Sequence, residues 1–147
     1  MVSNQPSDDF VRRADLVRVI DGDTLRVRVD LGWSTHRIED VRLAGINTPE
    51  VRGPEKAAGK WVAEQVGSWL GEGGWPDLIL HSREFSVGKF GRCVCDVWAG
   101  GLNLNEWLLD CRFGWPLDQY GSMVCPRRVD DLNLPEGIRQ QVREAMA

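Results

Sequence analysis

The stretch LVRVIDGDTLRVRVDLG, residues 16–32, decides the fold because apolar and polar residues alternate along its second half. The apolar positions are Leu25, Val27, Val29 and Leu31, and the polar positions between them are Thr24, Arg26, Arg28 and Asp30. A period of two predicts a half-buried β-strand. Asp21 and Gly22 signal a turn or bulge before it, so the apolar run at 16–20 is predicted to be the preceding strand.

The residues that follow extend this strand pair into a meander and then a helix. Ile38, Val41, Leu43 and Ile46 are the apolar points of a third strand. The segment GPEKAAGKWVAEQVGSWLGEGG, residues 53–74, has apolar residues at helical spacing, a proline in its first turn and glycines at its end. Its two tryptophans, Trp61 and Trp69, are interpreted as core residues rather than as platforms for stacking bases.

The second half predicts two more strands and two more helices. Residues 78–85 and 92–98 read as strands joined by a GKFG hairpin turn, and residues 104–111 read as a short helix capped by Asn103. A last helix starts at Pro135 and places Ile138, Val142 and Met146 on one face. This order predicts an α+β fold with a small antiparallel barrel. The predicted organisation is a flexible lead over residues 1–14 and one domain over 15–147.

Composition and charge limit the classes of function. The chain has 147 residues and a formal net charge of −4, which argues mildly against a nucleic-acid partner. Basic residues are nevertheless concentrated in the N-terminal half, so a basic face on an acidic protein is one possibility and a mixed-sign surface is the other. No membrane-spanning run or signal peptide is found, which predicts a cytoplasmic protein without a membrane partner. A monomer is expected.

Four cysteines, Cys93, Cys95, Cys111 and Cys125, leave two interpretations open. Cys93 and Cys95 are two apart in a predicted strand, so they share a face and can both be buried. A zinc site with all four as ligands is the alternative. Their spacing fits no standard zinc pattern, so buried thiols are favoured.

Three segments carry residue types that phosphodiester chemistry needs: IDGDT (20–24), RLAGINTPE (42–50) and GKFGR (88–92). Arginine binds phosphate oxygens two at a time, so Arg42 and Arg92 are candidate phosphate clamps. A hard divalent cation takes oxygen ligands, which Asp23, the Asn47 amide and the Thr48 carbonyl can offer. Glu50 is the candidate general base.

Together with LNEWLLDCRFGWP, these segments resemble the thermonuclease (staphylococcal nuclease-like) family over residues 15 to 120. The resemblance implies a five-stranded OB-type β-barrel with helices packed on it. It implies Ca²⁺-dependent cleavage of DNA and RNA by water attack, with low sequence specificity and 3′-phosphate ends. It assigns catalytic roles to Arg42, Glu50 and Arg92, and metal binding to Asp23 and Thr48. Lys89, Phe90 and, by a looser alignment, Tyr120 would bind the nucleotide.

Asn47 departs from this pattern, because the family has a carboxylate there. An amide oxygen still coordinates Ca²⁺ but adds no charge, which predicts weaker metal binding or a shift towards Mg²⁺ or Mn²⁺. The leading hypothesis is a metal-dependent nuclease acting on DNA, RNA or both. The alternatives are a nucleic-acid-binding module with a weakened metal site and a domain that binds only protein.

Overall fold

The computed structural model describes residues 10–72, 77–85 and 93–147. Strands β1 (Val11–Asp21), β2 (Thr24–Asp30) and β3 (His36–Leu43) pair antiparallel in chain order, which confirms the meander. The side chains of β2 alternate as predicted, with Leu25 and Val27 buried and Arg28 exposed.

Strand β1 departs from the prediction in its start and its pattern. It begins at Val11, inside the predicted lead over residues 1–14, and Ala14 is buried in the core. Its pairing with β2 shifts register between Leu16 and Arg18 and again near its end. A bulge turns side chains away from strict alternation. Val17, an apolar point of the predicted strand, is accordingly exposed.

Two later strands close the sheet into a barrel. Strand β5 (Leu78–Phe85) pairs antiparallel with both β1 and β6 (Cys93–Ala99). Strand β6 then pairs with β3 in parallel, over three residue pairs only. The result is a closed five-stranded barrel of the OB type in an α+β fold, as predicted, except that this closing ladder is parallel. The predicted GKFG turn lies outside the described residues.

Short strands and three helices complete the fold. Strand β4 (Ile46–Asn47) pairs with β8 (Trp115–Pro116), and β7 (Leu102–Asn103) extends the sheet beyond β6. The helices are α1 (Lys56–Glu72), α2 (Leu104–Asp110) and α3 (Glu136–Met146), with 3₁₀ turns at Gly53–Glu55 and Val129–Asp131. Among the described residues, no helix combines the length and apolar character needed to cross a membrane.

The helix signals in the sequence are confirmed. The Asn103 side chain accepts a hydrogen bond from the Glu106 amide at 2.9 Å and caps α2. Helix α1 buries Val62, Val66 and Leu70 at helical spacing. On α3, Val142 is buried, whereas Met146, at the helix end, is 56% exposed.

Aromatic rings join α1 to α2. Trp69 stacks on Trp107 with ring centroids 5.1 Å apart, and Trp61 meets Phe113 edge to face at the same distance. Trp61 and Trp69 therefore pack against the core, as predicted. Trp33 is different, because it lies in the β2–β3 hairpin loop and is fully exposed.

Gly59 lets helix α1 approach the loop that follows β4. A Cβ atom at this position would lie 2.1 Å from the Glu50 carbonyl oxygen, which is far inside van der Waals contact. The obstacle is backbone, so a side chain here would have to displace the loop. This close approach fixes the loop containing Glu50 against the helix.

We expect Gly59→Ala to lower the free energy of unfolding by about 2–4 kcal/mol, because the added methyl group overlaps the loop backbone. Gly67→Ala in the same helix is the matched control, since a Cβ there meets nothing within 4 Å. The control should gain roughly 0.5–1 kcal/mol from helix propensity. Urea denaturation of both variants measures the difference. Similar values for the two would show that the loop does not rest on the helix.

Candidate active site

Asp23 lies in the turn between β1 and β2 and is a buried carboxylate, with 3% of its surface exposed. It accepts hydrogen bonds from the Thr48 amide at 2.9 Å and from the Thr24 hydroxyl at 3.0 Å. Arg42 pairs with it through Nη1 at 3.0 Å. A buried charge is tolerated when it is paired and hydrogen-bonded, and these contacts meet that requirement.

Arg42 projects from β3, where it pairs with Thr24 of β2. Besides Asp23, its guanidinium donates from Nη2 to the Asn47 side-chain oxygen at 3.3 Å and to the Ile46 carbonyl at 3.4 Å. One arginine thus contacts both side chains that were predicted to bind the metal. Arg42 therefore combines one ion pair with two hydrogen bonds.

The pairing of β4 with β8 positions Asn47, the last residue of β4, and Thr48, which comes directly after it. The Asn47 amide donates to the Met123 sulfur at 3.6 Å, so both ends of this side chain have partners. Gly114 permits the pairing, because a Cβ there would lie 2.6 Å from the Asn47 carbonyl. The Thr48 hydroxyl is buried and has no hydrogen-bond partner among the described residues.

Glu50 is solvent-accessible, with 63% of its side chain exposed. Its amide donates to Glu55 Oε1 at 3.0 Å, which holds the loop against the start of α1. Its carboxylate lies 3.8 Å from the Arg127 guanidinium. A base that must take a proton from water needs this kind of access.

Arg127 lies beside the candidate site residues Thr48 and Glu50, although no local pattern in the sequence signals it. Its guanidinium binds both oxygens of Glu55, at 2.7 and 3.0 Å, and donates to the Thr48 carbonyl at 3.2 Å. It also lies 4.5 Å above the Trp115 ring. Arg127 therefore connects the C-terminal segment, which the sequence left unassigned, to the loop with Thr48 and Glu50.

Two carboxyl groups in this region have displaced pKa values. Burial, and then the charges of Asp23 and Glu50, raise the pKa of Asp21. Burial also raises the pKa of Glu55, but hydrogen bonds from Arg127 and the Glu50 amide outweigh it, so this pKa is lowered. Asp21, the first acid of D-G-D, is therefore close enough to Asp23 and Glu50 to respond to their charges, although sequence analysis treated it only as part of a turn.

The remaining predicted residues divide into two groups. Lys89, Phe90 and Arg92 lie outside the described residues. Tyr120 is 83% exposed and lines a groove of about 840 Å³ together with Arg42. The groove is therefore continuous with the site, and its wall also contains an ion pair between Arg83 and Asp96, 2.6 Å apart.

The candidate metal ligands are oxygen atoms, which suit a hard cation, but together they carry little negative charge. Asp23, the Asn47 amide and the Thr48 carbonyl supply only oxygens, which Ca²⁺ prefers. Of the three, only Asp23 is charged, and it is paired with Arg42, while arginine N–H groups donate to the Asn47 and Thr48 oxygens. In the part of the chain that the structure describes, no three or more His, Cys, Asp or Glu side chains gather to hold a metal. The zinc interpretation of the four cysteines therefore finds no support.

We expect Glu55→Gln to lower the free energy of unfolding by about 1–2 kcal/mol at pH 7, because it removes a charge-assisted pair. The folded-state pKa of Glu55 is lowered, so its contribution is present above the usual pKa of about 4.3 and is lost as the pH falls through the folded-state value. The two proteins should therefore converge in acid. Urea denaturation from pH 7 to pH 3 measures this.

The matched control is Glu64→Gln, on an exposed part of α1, which should change stability by less than about 0.5 kcal/mol at every pH. A pH-independent loss in Glu55→Gln would contradict the assignment of an ionised Glu55 paired with Arg127.

Comparison with known proteins gives one informative similarity. No protein-family model matches the chain. Endonuclease Htp3 of Saprolegnia parasitica is 30% identical over 112 residues, and the match covers 66% of this chain and 52% of that protein. The chain thus spans about half the length of this relative. Similarity to an endonuclease and the closed five-stranded barrel together fit a nuclease-like OB fold.

Proposed function

We propose that the chain is a metal-dependent nuclease of the thermonuclease type, which hydrolyses phosphodiester bonds of DNA, RNA or both with low sequence specificity and leaves 3′-phosphate ends. The observation that carries the proposal is the meeting of Arg42 with Asp23 and Asn47, at 3.0 and 3.3 Å, on the wall of an open groove. The similarity to an endonuclease supports it.

Arg42 has the chemistry to hold the scissile phosphate. Both of its hydrogen bonds, to Asn47 and to Ile46, come from Nη2, and its side chain is 23% exposed beside the groove. A guanidinium binds two phosphate oxygens at once and stabilises the additional negative charge that develops in the transition state. Arg92 would be the second phosphate clamp, a role that rests on the sequence.

Asp23, Asn47 and the Thr48 carbonyl would hold the metal, with Ca²⁺ as the first candidate and Mg²⁺ or Mn²⁺ as alternatives. When bound, such an ion polarises the phosphate and orients water. The chain itself holds the ligands in place. The Thr48 amide is tied to Asp23, and its carbonyl is fixed by Arg127.

Glu50 would take the proton from the attacking water. The loop that presents it is held from two sides, by the bond from its amide to Glu55 and by the close approach of Gly59. The carboxylate itself stays exposed. A fixed backbone with an accessible carboxylate suits a base that takes a proton from solvent water.

The groove suits a nucleic-acid strand. Arg42 supplies positive charge, and Tyr120 supplies an exposed ring on which a base can stack. Asp118 shapes the loop before this ring by accepting hydrogen bonds from the Tyr120 and Ser122 amides at 2.8 and 2.9 Å. Contacts to phosphate and to the face of a base carry little sequence information, which accounts for low specificity.

A binding module without cleavage is the second candidate. The observation that favours it is the low charge of the predicted metal site, where Asn47 is neutral and Arg42 already pairs with Asp23. Such a module would retain nucleic acid through Arg42 and Tyr120 and would not cut it. The two functions differ in one measurable property, which is cleavage in the presence of a divalent metal.

We expect the chain to cut plasmid, single-stranded DNA or RNA with Ca²⁺, Mg²⁺ or Mn²⁺ and not with EDTA. Arg42→Ala should lower kcat by about 10²–10³, because it removes transition-state stabilisation. Glu50→Gln should lower it by about 10²–10⁴, because it removes the base. Cleavage is followed on gels, and nucleic-acid binding by fluorescence anisotropy.

Arg28→Ala is the matched control, because Arg28 is exposed on the barrel and pairs with Asp15 at 2.7 Å. It should cut like the unmodified chain. Retention of nucleic acid without cutting by any metal would replace the enzyme with the binding module. Equal losses of binding and cleavage in Arg42→Ala would contradict its role in the transition state.

We expect Asn47→Asp to tighten Ca²⁺ binding by about tenfold or more, because a carboxylate adds ligand charge. Asn133→Asp adds the same charge at an exposed position outside the site and is the control. Titration calorimetry and the Ca²⁺-dependent rise in Tm measure the affinities. Equal affinities for the two variants would show that Asn47 does not bind the metal.

A further inference from the structure

A second cavity opens at the opposite end of β2 and β3 from Arg42. Its volume is about 360 Å³, and its walls are mostly apolar. Val29 is near the end of β2 and Glu39 is near the start of β3, whereas Arg42 is near the end of β3. The cavity is therefore the other mouth of the barrel. Two cysteines, Cys93 and Cys95, lie in its wall.

The two thiols are close enough to react with each other. Their sulfur atoms lie 3.5 Å apart, on residues that share one face of β6. Cys95 is buried, with 1% of its surface exposed, and Cys93 is half-buried. The Cys93 sulfur is thus the more accessible of the two, and the buried Cys95 sulfur is in contact with it.

The surroundings give the two thiols different acidities. A hydrogen bond with Cys95 outweighs burial and, with a further hydrogen bond from Ser82, lowers the pKa of Cys93 to about 7. Arg37 lowers it further and Glu39 opposes the effect. The same hydrogen bond and burial raise the pKa of Cys95, which stays protonated. The thiolate is the nucleophilic form, so Cys93 is the reactive member.

We propose that Cys93 and Cys95 form a redox-active dithiol that is modified by small hydroperoxides entering the mouth of the barrel. The Cys93 thiolate attacks the terminal peroxide oxygen, so that an S–O bond forms and the O–O bond breaks. The alkoxide or hydroxide that leaves takes up a proton. Cys93 is oxidised to a sulfenic acid and the peroxide is reduced.

Cys95 completes the reaction. Its sulfur forms the S–S bond with Cys93 while the S–O bond breaks, and the leaving hydroxide takes the Cys95 proton to give water. The net change is two thiols and one hydroperoxide to one disulfide, one alcohol or water, and one water. None of these steps depends on the proposed nuclease activity.

The strand geometry makes this disulfide strained and easily reduced, because side chains two apart on a strand stand parallel and β6 must bend to bring their Cβ atoms within about 4.5 Å. Residues two apart on a strand have Cα atoms about 6.6 Å apart. Disulfides span Cα separations of about 4.4–6.8 Å, so this pair is at the upper limit. Bonds formed near that limit are strained and have less negative reduction potentials, as is typical of reversible rather than structural disulfides.

The test is oxidation of the full chain with stoichiometric hydrogen peroxide, read by intact mass and by peptide mapping. We expect a loss of two hydrogens that maps to Cys93 and Cys95 and is reversed by dithiothreitol. Cys95→Ser should stop at the sulfenic acid, which dimedone traps. Cys93→Ser should give neither product, and Cys111→Ser should behave like the unmodified chain. Circular dichroism checks that each variant is folded.

Alkylation kinetics test the same proposal without a variant. Because the pKa of Cys93 is lowered, a larger fraction of it is thiolate at pH 7 than of an ordinary thiol, so iodoacetamide should label it several-fold faster than Cys111. Cys111 is a suitable reference, because burial raises the pKa of its thiol. Equal labelling rates, or an unchanged mass with both thiols still alkylatable after peroxide treatment, would overturn the proposal.

Discussion

The buried carboxylate of Asp23 is the constraint on which the candidate site depends. An unpaired ionised group at this depth would cost several kcal/mol, so the chain must supply partners for it. It does so from three places: the turn itself, the end of β3 and the residue after β4. The Asp23 carbonyl also accepts a bond from the Leu43 amide at 2.8 Å. Satisfying one charge therefore fixes the relative positions of all three segments.

A second ion pair holds the other side of the same loop. Glu55 and Arg127 are far apart in sequence but bind through two hydrogen bonds, with only 12% of the Glu55 side chain exposed. The loop between β4 and α1 thus lies between two charge pairs, one centred on Asp23 and one on Glu55. Its backbone also fits closely against Gly59 of α1 and Gly114 before β8. The two charge pairs and the two glycines, which have no side chain to obstruct the close approach, together hold the loop in place.

Features that depend on residues close together in the sequence could be predicted, whereas features that depend on residues far apart in the sequence could not. The alternation in β2, the apolar stripe of α1 and the Asn103 cap involve neighbours within a few residues, and all three were predicted. The meeting of Asp23, Arg42 and Asn47 was implied by their assignment to one site, which rested on residue types and on the family resemblance. Their chemical roles remain predictions.

Features that depend on distant partners could not be predicted. Nothing near Arg127 in the sequence signals Glu55. The exposure of Val17 arises from a bulge in its pairing with β2, and the parallel closure between β3 and β6 depends on how the whole sheet curves. The pKa of Cys93 is lowered first by Cys95, two residues away, but also by Ser82, which lies on another strand.

The parallel ladder between β3 and β6 has a consequence for the lifetime of the site. It consists of three residue pairs, and its central pair is Arg42 with Val94. A ladder this short is a place where local opening costs less than global unfolding. When it opens, Arg42 keeps its pairing with Thr24 of β2 but loses the strand on its other side, and buried Leu43 meets solvent. The seam therefore limits how long Arg42 stays supported from both sides, whereas the β2–β3 pairing keeps it beside the turn that contains Asp23.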